Sequence, residues 1–158
     1  MMEQDFDFQI LCLSSTFYRA YPNPPYIEIL KKETRPYKCL LLETHYDYYI
    51  CIPFRTNIRH NYCFLTRSSE RTEEGNTRLD YTKMVVIQKS EFLDSETAVI
   101  GHDEYVKVIK NLDRIKRDSL QYLEQYCNHH RGISVLSSRE YRKYRYSPLK
   151  YFHKELGI

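Results

Sequence analysis

The chain changes its hydrophobic rhythm once, near residue 90. Before that point short apolar or alternating runs are separated by turn-forming residues, which is the pattern of β-strands. The runs fall at 6–13, 38–44, 48–54, 62–66 and 83–88, so four or five short strands are expected before residue 90. The last of these, Lys-Met-Val-Val-Ile-Gln, reads as a buried strand, and His45-Tyr46-Asp47 reads as a hairpin turn. Ser14, Ser15 and Thr16 can cap a short helix after the first strand, and Pro25 suits the first position of a helical turn over 26–32. A polar loop is expected over 67–77.

After residue 100 the period lengthens. Val106, Ile109, Leu112, Ile115, Leu120, Leu123 and Tyr126 or Cys127 recur at helical spacing, which predicts one amphipathic helix over 102–130 with Gly132 just past its end. Further helices are expected at 138–146 and 148–156, the last opened by Ser147-Pro148. No linker or repeat divides the chain. The expected class is α+β in a single domain over 1–158, with strands early and helices late.

Composition adds a hint about partners. There are sixteen Tyr and seven Phe but no Trp; tyrosine both stacks and hydrogen-bonds, and it also fills cores. The net charge is only +3. Between residues 131 and 154, however, seven Lys or Arg, including Arg139, Arg142, Lys143 and Arg145, stand against Glu140 alone. Tyr141, Tyr144, Tyr146 and Tyr151 interleave them. Phosphate contacts beside stacking rings would use that composition, and so would a solvated basic helix face.

Five cysteines without paired spacing, an acidic start without a long apolar run and no stretch of membrane-spanning length point to a reducing cytoplasm, with no membrane partner. Four glycines leave no room for a phosphate-cradling loop, and Cys127-Asn128-His129-His130 crowds its ligands at one helix end, so neither a cofactor nor a metal is expected.

The densest polar run is 52–62, which contains Arg55, Thr56, Asn57, Arg59 and His60. Guanidinium groups can clamp a phosphate, a hydroxyl and an amide can align it, and an imidazole can move a proton. Those groups suit attack of an RNA 2′-OH on its own phosphate. A strand end and turn with its arginines in water would look the same. Lys83 can neutralise a developing charge at a strand mouth, and Asp80 can orient a base or cap a turn. Arg35, Tyr37 and Lys38 form a short rigid opening to a strand.

Four blocks taken together are more specific: Arg-Pro-Tyr at 35–37, Ile-Pro-Phe-Arg-Thr-Asn-Ile-Arg-His at 52–60, Leu-Asp-Tyr-Thr-Lys-Met-Val-Val-Ile at 79–87 and Tyr-Ser-Pro-Leu-Lys-Tyr-Phe-His-Lys-Glu-Leu at 146–156. In this order they resemble the toxins of type III toxin–antitoxin systems, in the CptN and TenpN branch related to ToxN and AbiQ. Thr56 stands where the family usually has serine, Arg78 where it has glycine and Pro148 where it has threonine. The resemblance implies a compact, strongly twisted antiparallel sheet with surrounding helices, similar to the MazF and Kid ribonuclease fold. It implies metal-independent cleavage of mRNA that leaves a 2′,3′-cyclic phosphate and a 5′-OH, in a role of phage abortive infection. The implied partner is a repeat antitoxin RNA, cut by the toxin into pseudoknots that close with it into a ring; DNA is not implied.

Carried over residue by residue, the catalytic set is Arg55, Thr56, Asn57, His60 and Lys83, without an assignment of general acid or base; from its chemistry the His60 imidazole is the expected proton carrier. The expected RNA contacts are Arg35, Tyr37, Lys38, Arg59, Asp80, Arg139, Arg142, Lys143 and Arg145. A protein that binds structured RNA without cutting it is the alternative, and a protein–protein adaptor using the tyrosines is a third.

Overall fold

In a computed structural model, the structure describes residues 8–30, 37–68 and 75–158. Arg35 and most of the expected 67–77 loop lie outside the described residues. The class is α+β, as expected: among the described residues seven strands form one antiparallel sheet, with a short helix after the first strand and the longer helices following the last.

The strands are β1 (Phe8–Leu13), β2 (Lys38–Glu43), β3 (Tyr49–Thr56), β4 (Cys63–Arg67), β5 (Thr77–Asp80), β6 (Val85–Ile87) and β7 (Leu93–Thr97). Their order is β4-β5-β3-β2-β1-β7, with β6 also paired to β3. β2 and β3 form the expected hairpin, in register from Cys39 opposite Pro53 to Glu43 opposite Tyr49. Both strands are buried through their middles, consistent with continuous apolar runs rather than clean alternation.

β3 has a forked outer edge. Its first half, Tyr49 to Cys51, pairs with β6, and its last three residues, Phe54 to Thr56, pair with β5. Pro53 stands at the fork, where a residue without an N–H interrupts no ladder on that edge. The chain passes from β5 to β6 through a 3-10 turn at Tyr81–Lys83, so this turn is presented at the fork. That junction positions the candidate site.

Several elements differ from expectation. Among the described residues six strands, not four or five, precede residue 90, because Thr77–Asp80 pairs with β3 and β4 instead of lying in the connection. Lys83 belongs to the turn and not to the strand that follows it. Residues 26–30 make hydrogen-bonded turns, with the Tyr26 N–H donating to Pro22 O, rather than the start of a helix. Ser14 caps α1 (Ser15–Ala20) as expected, accepting from the Phe17 N–H.

The long amphipathic stretch is two helices, α2 (His102–Lys110) and α3 (Leu112–His130). Asn111 makes the break. Its side-chain amide donates to Lys107 O at 2.8 Å, ending α2, while its own carbonyl accepts the first α3 bond from the Ile115 N–H. α3 buries Ile115, Ser119, Tyr122, Leu123, Tyr126 and Cys127. The C-terminal helices are shorter than expected: α4 (Ser138–Tyr141) passes into a 3-10 turn at Arg142–Tyr144, and Pro148–Tyr151 is a 3-10 turn before α5 (His153–Leu156). A capping box between Ser137 and Glu140 fixes the start of α4. Among the described residues no helix is long and apolar enough to cross a membrane.

Candidate active site at the sheet fork

Asp80 is the last residue of β5 and has no solvent exposure. A buried carboxylate needs partners for both oxygens, and it has them. Its Oδ2 accepts from Arg55 Nη1 at 2.6 Å. Its Oδ1 accepts from Thr82 Oγ1 at 2.6 Å and from the Thr82 backbone N–H at 3.0 Å, which caps the 3-10 turn, and it lies 3.1 Å from His60 Nε2. Burial works to raise the Asp80 pKa, but the hydrogen bonds from His60, Thr82 and Arg55 outweigh it and hold the carboxyl below its ordinary value. Asp80 was expected as a surface RNA contact. It is instead the concealed centre that fixes Arg55, His60 and Thr82; of the two roles read from the sequence the turn cap is realised, and the ring beside the carboxylate is that of His60.

His60 is held at both ring nitrogens. Nδ1 accepts from the Tyr62 backbone N–H at 3.1 Å, so in the neutral ring the proton sits on Nε2 and points at Asp80. Thr82 Oγ1 lies 3.4 Å from the same Nε2. An imidazole with both nitrogens engaged by the protein positions its neighbours; it presents no free lone pair to a substrate. The expected proton carrier therefore has both ring nitrogens engaged within the protein.

Lys83 leaves the same turn on the other side. Its Nζ donates to Tyr146 O at 2.8 Å and to Glu28 O at 3.1 Å, which uses two of its three N–H groups. Burial lowers its pKa, and the charge of Arg55 lowers it further, against the pull of Asp80 and Glu28. Tyr37 lines the same small crevice as Lys83, so the first and third sequence blocks do meet. The fourth block joins them: Lys150 Nζ is 2.5 Å from Glu28 Oε1, and the Tyr151 hydroxyl donates to Glu28 Oε2. Burial tends to raise the Glu28 pKa, and those two donors reverse it.

The remaining expected residues divide. Strand alternation turns Thr56 to the face opposite Arg55, and its exposed side chain does not join Asp80; the hydroxyl there is that of Thr82. Asn57 takes a left-handed backbone, φ 60°, and it lines a broad cleft together with Arg59 and His60. Lys38 is not with this group, because its ammonium donates to Val99 O beyond β7. Arg139, Arg142 and Arg145 are exposed, while Lys143 is half-buried against Gln125 and the rings of Tyr62 and Tyr144.

The tyrosines of the basic segment were expected to offer stacking faces. Tyr144 is instead buried against Tyr122 and Tyr126, and Tyr141 and Tyr151 are half-buried; only Tyr146 stands out in solvent. The ring beside the site is Tyr62. It is 43% exposed, its centroid lies 6.0 Å from that of His60, and Lys143 Nζ is 5.6 Å from it. Neither Thr82 nor Tyr62 was singled out from the sequence. For Thr82 a signal was available, since Asp-x-Thr before a turn is a side-chain cap. Comparisons with family models, with curated proteins and with solved structures give no match to this chain.

Proposed function

We propose that this chain is a cytoplasmic, metal-independent endoribonuclease of the toxin type, built on a MazF- and Kid-like sheet and inhibited by a pseudoknot repeat RNA with which it closes into a ring. What carries the catalytic part is one observation. The buried Asp80 carboxylate holds Arg55 at the mouth of a sheet fork, and Lys83, with a lowered pKa, leaves the adjoining turn. Preorganised cations beside a scissile phosphate are the main requirement when the nucleophile belongs to the substrate. The system-level part, with mRNA and antitoxin RNA as substrates, rests on the four sequence blocks.

In this reading the 2′-oxygen attacks the adjacent phosphorus and its proton leaves to water. The bond from phosphorus to the 5′-oxygen breaks with its electron pair, and that oxygen takes a proton from Lys83. The products are a 2′,3′-cyclic phosphate and a 5′-OH. Arg55 keeps N–H groups beyond the one given to Asp80, and these meet the charge on the non-bridging oxygens. His60 and Thr82 hold Asp80 in place, and Tyr62 supplies a face for an unstacked base.

One observation favours the second reading, a protein that binds structured RNA without cutting it: both nitrogens of His60 are engaged within the protein. RNA-free protein incubated with single-stranded RNA in EDTA separates the two. Fragments with cyclic phosphate and 5′-OH ends support the nuclease. RNA that is held in a salt-dependent manner but stays intact overturns it in favour of binding alone.

A further inference from the structure

Arg55 and Arg78 sit directly opposite each other in the β3–β5 ladder. Like charges in that relation repel unless something lies between or beside them. Asp80 answers only one of them: Arg55 has its carboxylate, whereas Arg78 has a long 3.4 Å bond to Ile58 O. Arg78 opens instead into a cleft of about 1010 Å³ that runs round the outer edge of β4. Asn57 and Arg59 line it from the loop before β4, and Lys107 and Arg114 line it from α2 and α3. Among the described residues no acidic side chain lines it.

The two helix cations are held by a ring. Lys107 Nζ and the Arg114 guanidinium carbon lie 5.7 and 5.6 Å from the centroid of Phe64, and Arg114 also makes a loose 3.6 Å contact with Asp118. His60 lines this cleft as well as bonding Asp80, so the cleft and the candidate site are continuous. Leu65 and Arg78 lie on one face of the sheet and Phe64 on the other, so the path bends around a strand edge. A flexible single strand can follow such a bend; a stiff duplex cannot.

We infer that this cleft tracks the backbone of single-stranded RNA on one side of the scissile bond, with Arg59, Arg78, Lys107 and Arg114 reading successive phosphates. The inference rests on the RNA reading above and adds the route of the strand. It makes affinity depend on strand length beyond the nucleotides at Arg55 and Lys83.

Fluorescence anisotropy with a short and a long labelled single-stranded RNA, both 2′-O-methylated so that no 2′-hydroxyl is left to attack, tests it. The native protein should bind the long strand more tightly. The double variant Lys107→Gln/Arg114→Gln should lose that preference, with affinity for the long strand falling on the order of tenfold and the log–log salt slope falling by about 1.4. The control Arg19→Gln/Lys89→Gln removes as much charge beside α1 and β7, at the other edge of the sheet, and should bind like the native protein. If the helix variant does not fold, Arg59→Gln on the exposed loop is read in the same way, with half the change in slope.

A folded cleft variant that keeps the native length preference overturns this inference while leaving the nuclease reading intact. A native protein that neither binds nor cuts RNA removes that reading first, and this one with it. Polyglutamate binding that disappears in the cleft variant, while RNA binding persists, would overturn it in favour of an acidic protein partner.

Discussion

Arg55 Nη1 lies 2.6 Å from Asp80 Oδ2, and the two residues come from different strands of the same ladder. The Asp80 side chain is wholly buried, while that of Arg55 remains 27% exposed. The pair is thus an anchor with an open end. Asp80 gains compensation for its burial, and Arg55 loses rotational freedom without losing access to solvent. Preorganisation of this kind is what a phosphate clamp needs, because no reorganisation is then left for the moment of reaction.

Asp80→Asn keeps the size of the side chain but removes the charge that answers Arg55 and His60. Breaking a largely buried pair by changing one partner leaves the other poorly compensated. Since Arg55 retains water, the loss should fall short of the fully buried case, at about 2–3 kcal/mol in urea unfolding. RNA cutting should drop by about a hundredfold at temperatures where the variant is still folded. A variant as stable as the native protein would show that Asp80 is not the anchor.

The same carboxyl sets an acid limit on stability. Its folded pKa is lowered from 3.8, so the native state holds on to the ionised form more strongly than the unfolded chain does. The stabilisation is therefore complete above the unfolded value and is lost as the pH falls through the lower folded value. Unfolding free energy measured from neutral pH downwards should decline in that acid window, and Asp80→Asn should remove its share of the decline. An identical acid profile in the variant would contradict the assignment.

Lys83 makes a kinetic prediction. If it gives its proton to the leaving oxygen, cutting must slow as the pH rises through its folded pKa, which burial and Arg55 hold below 10.5. Lys83→Arg keeps a positive charge but does not release it in that range. It should lower the rate by about a hundredfold or more and abolish the alkaline limb of the pH–rate profile. Persistence of that limb in the arginine variant would assign it to another group.

His60 should behave as a positioning residue. His60→Ala removes the donor to Asp80 and the acceptor for the Tyr62 N–H, so the loop before β4 loses two restraints. Cutting should fall about tenfold, and the shape of the pH–rate profile should stay unchanged. Loss of an acid limb in the alanine variant would restore the imidazole as a proton carrier.

The parts of this molecule that could be read from the sequence are those where burial leaves a pattern. β2 and β3 are apolar through their length, and the heptad-like run in α3 marks a buried face. β7, Leu-Asp-Ser-Glu-Thr, is an exposed strand that pairs with β1 and has no apolar alternation to detect. The break at Asn111 falls inside an uninterrupted amphipathic pattern, because a side-chain bond to Lys107 O, not a glycine or proline, produces it. In the site, Arg55 and Lys83 were evident as cations at strand ends. The burial of Asp80 was not, since a carboxylate reveals its concealment only through partners distant in sequence. Lys107 and Arg114 look like any solvated helix face until Phe64 is placed beneath them.

Tyr62 is the last test, and it bears on whether the site holds a base as well as a phosphate. Its ring is exposed beside His60 and Lys143, whereas Tyr141 and Tyr144 of the basic segment are drawn into packing around α3. A stacked base on such a ring contributes about 1–3 kcal/mol, and it depends on the π-face rather than on the hydroxyl. Tyr62→Phe should therefore bind single-stranded RNA like the native protein, while Tyr62→Ala should weaken binding by about tenfold or more. Both substitutions are at a surface position, so thermal melting should shift little in either. Equal losses in the two variants would mean that the hydroxyl, not the ring, makes the contact; no loss in either would leave the base without its platform and confine recognition to the phosphates.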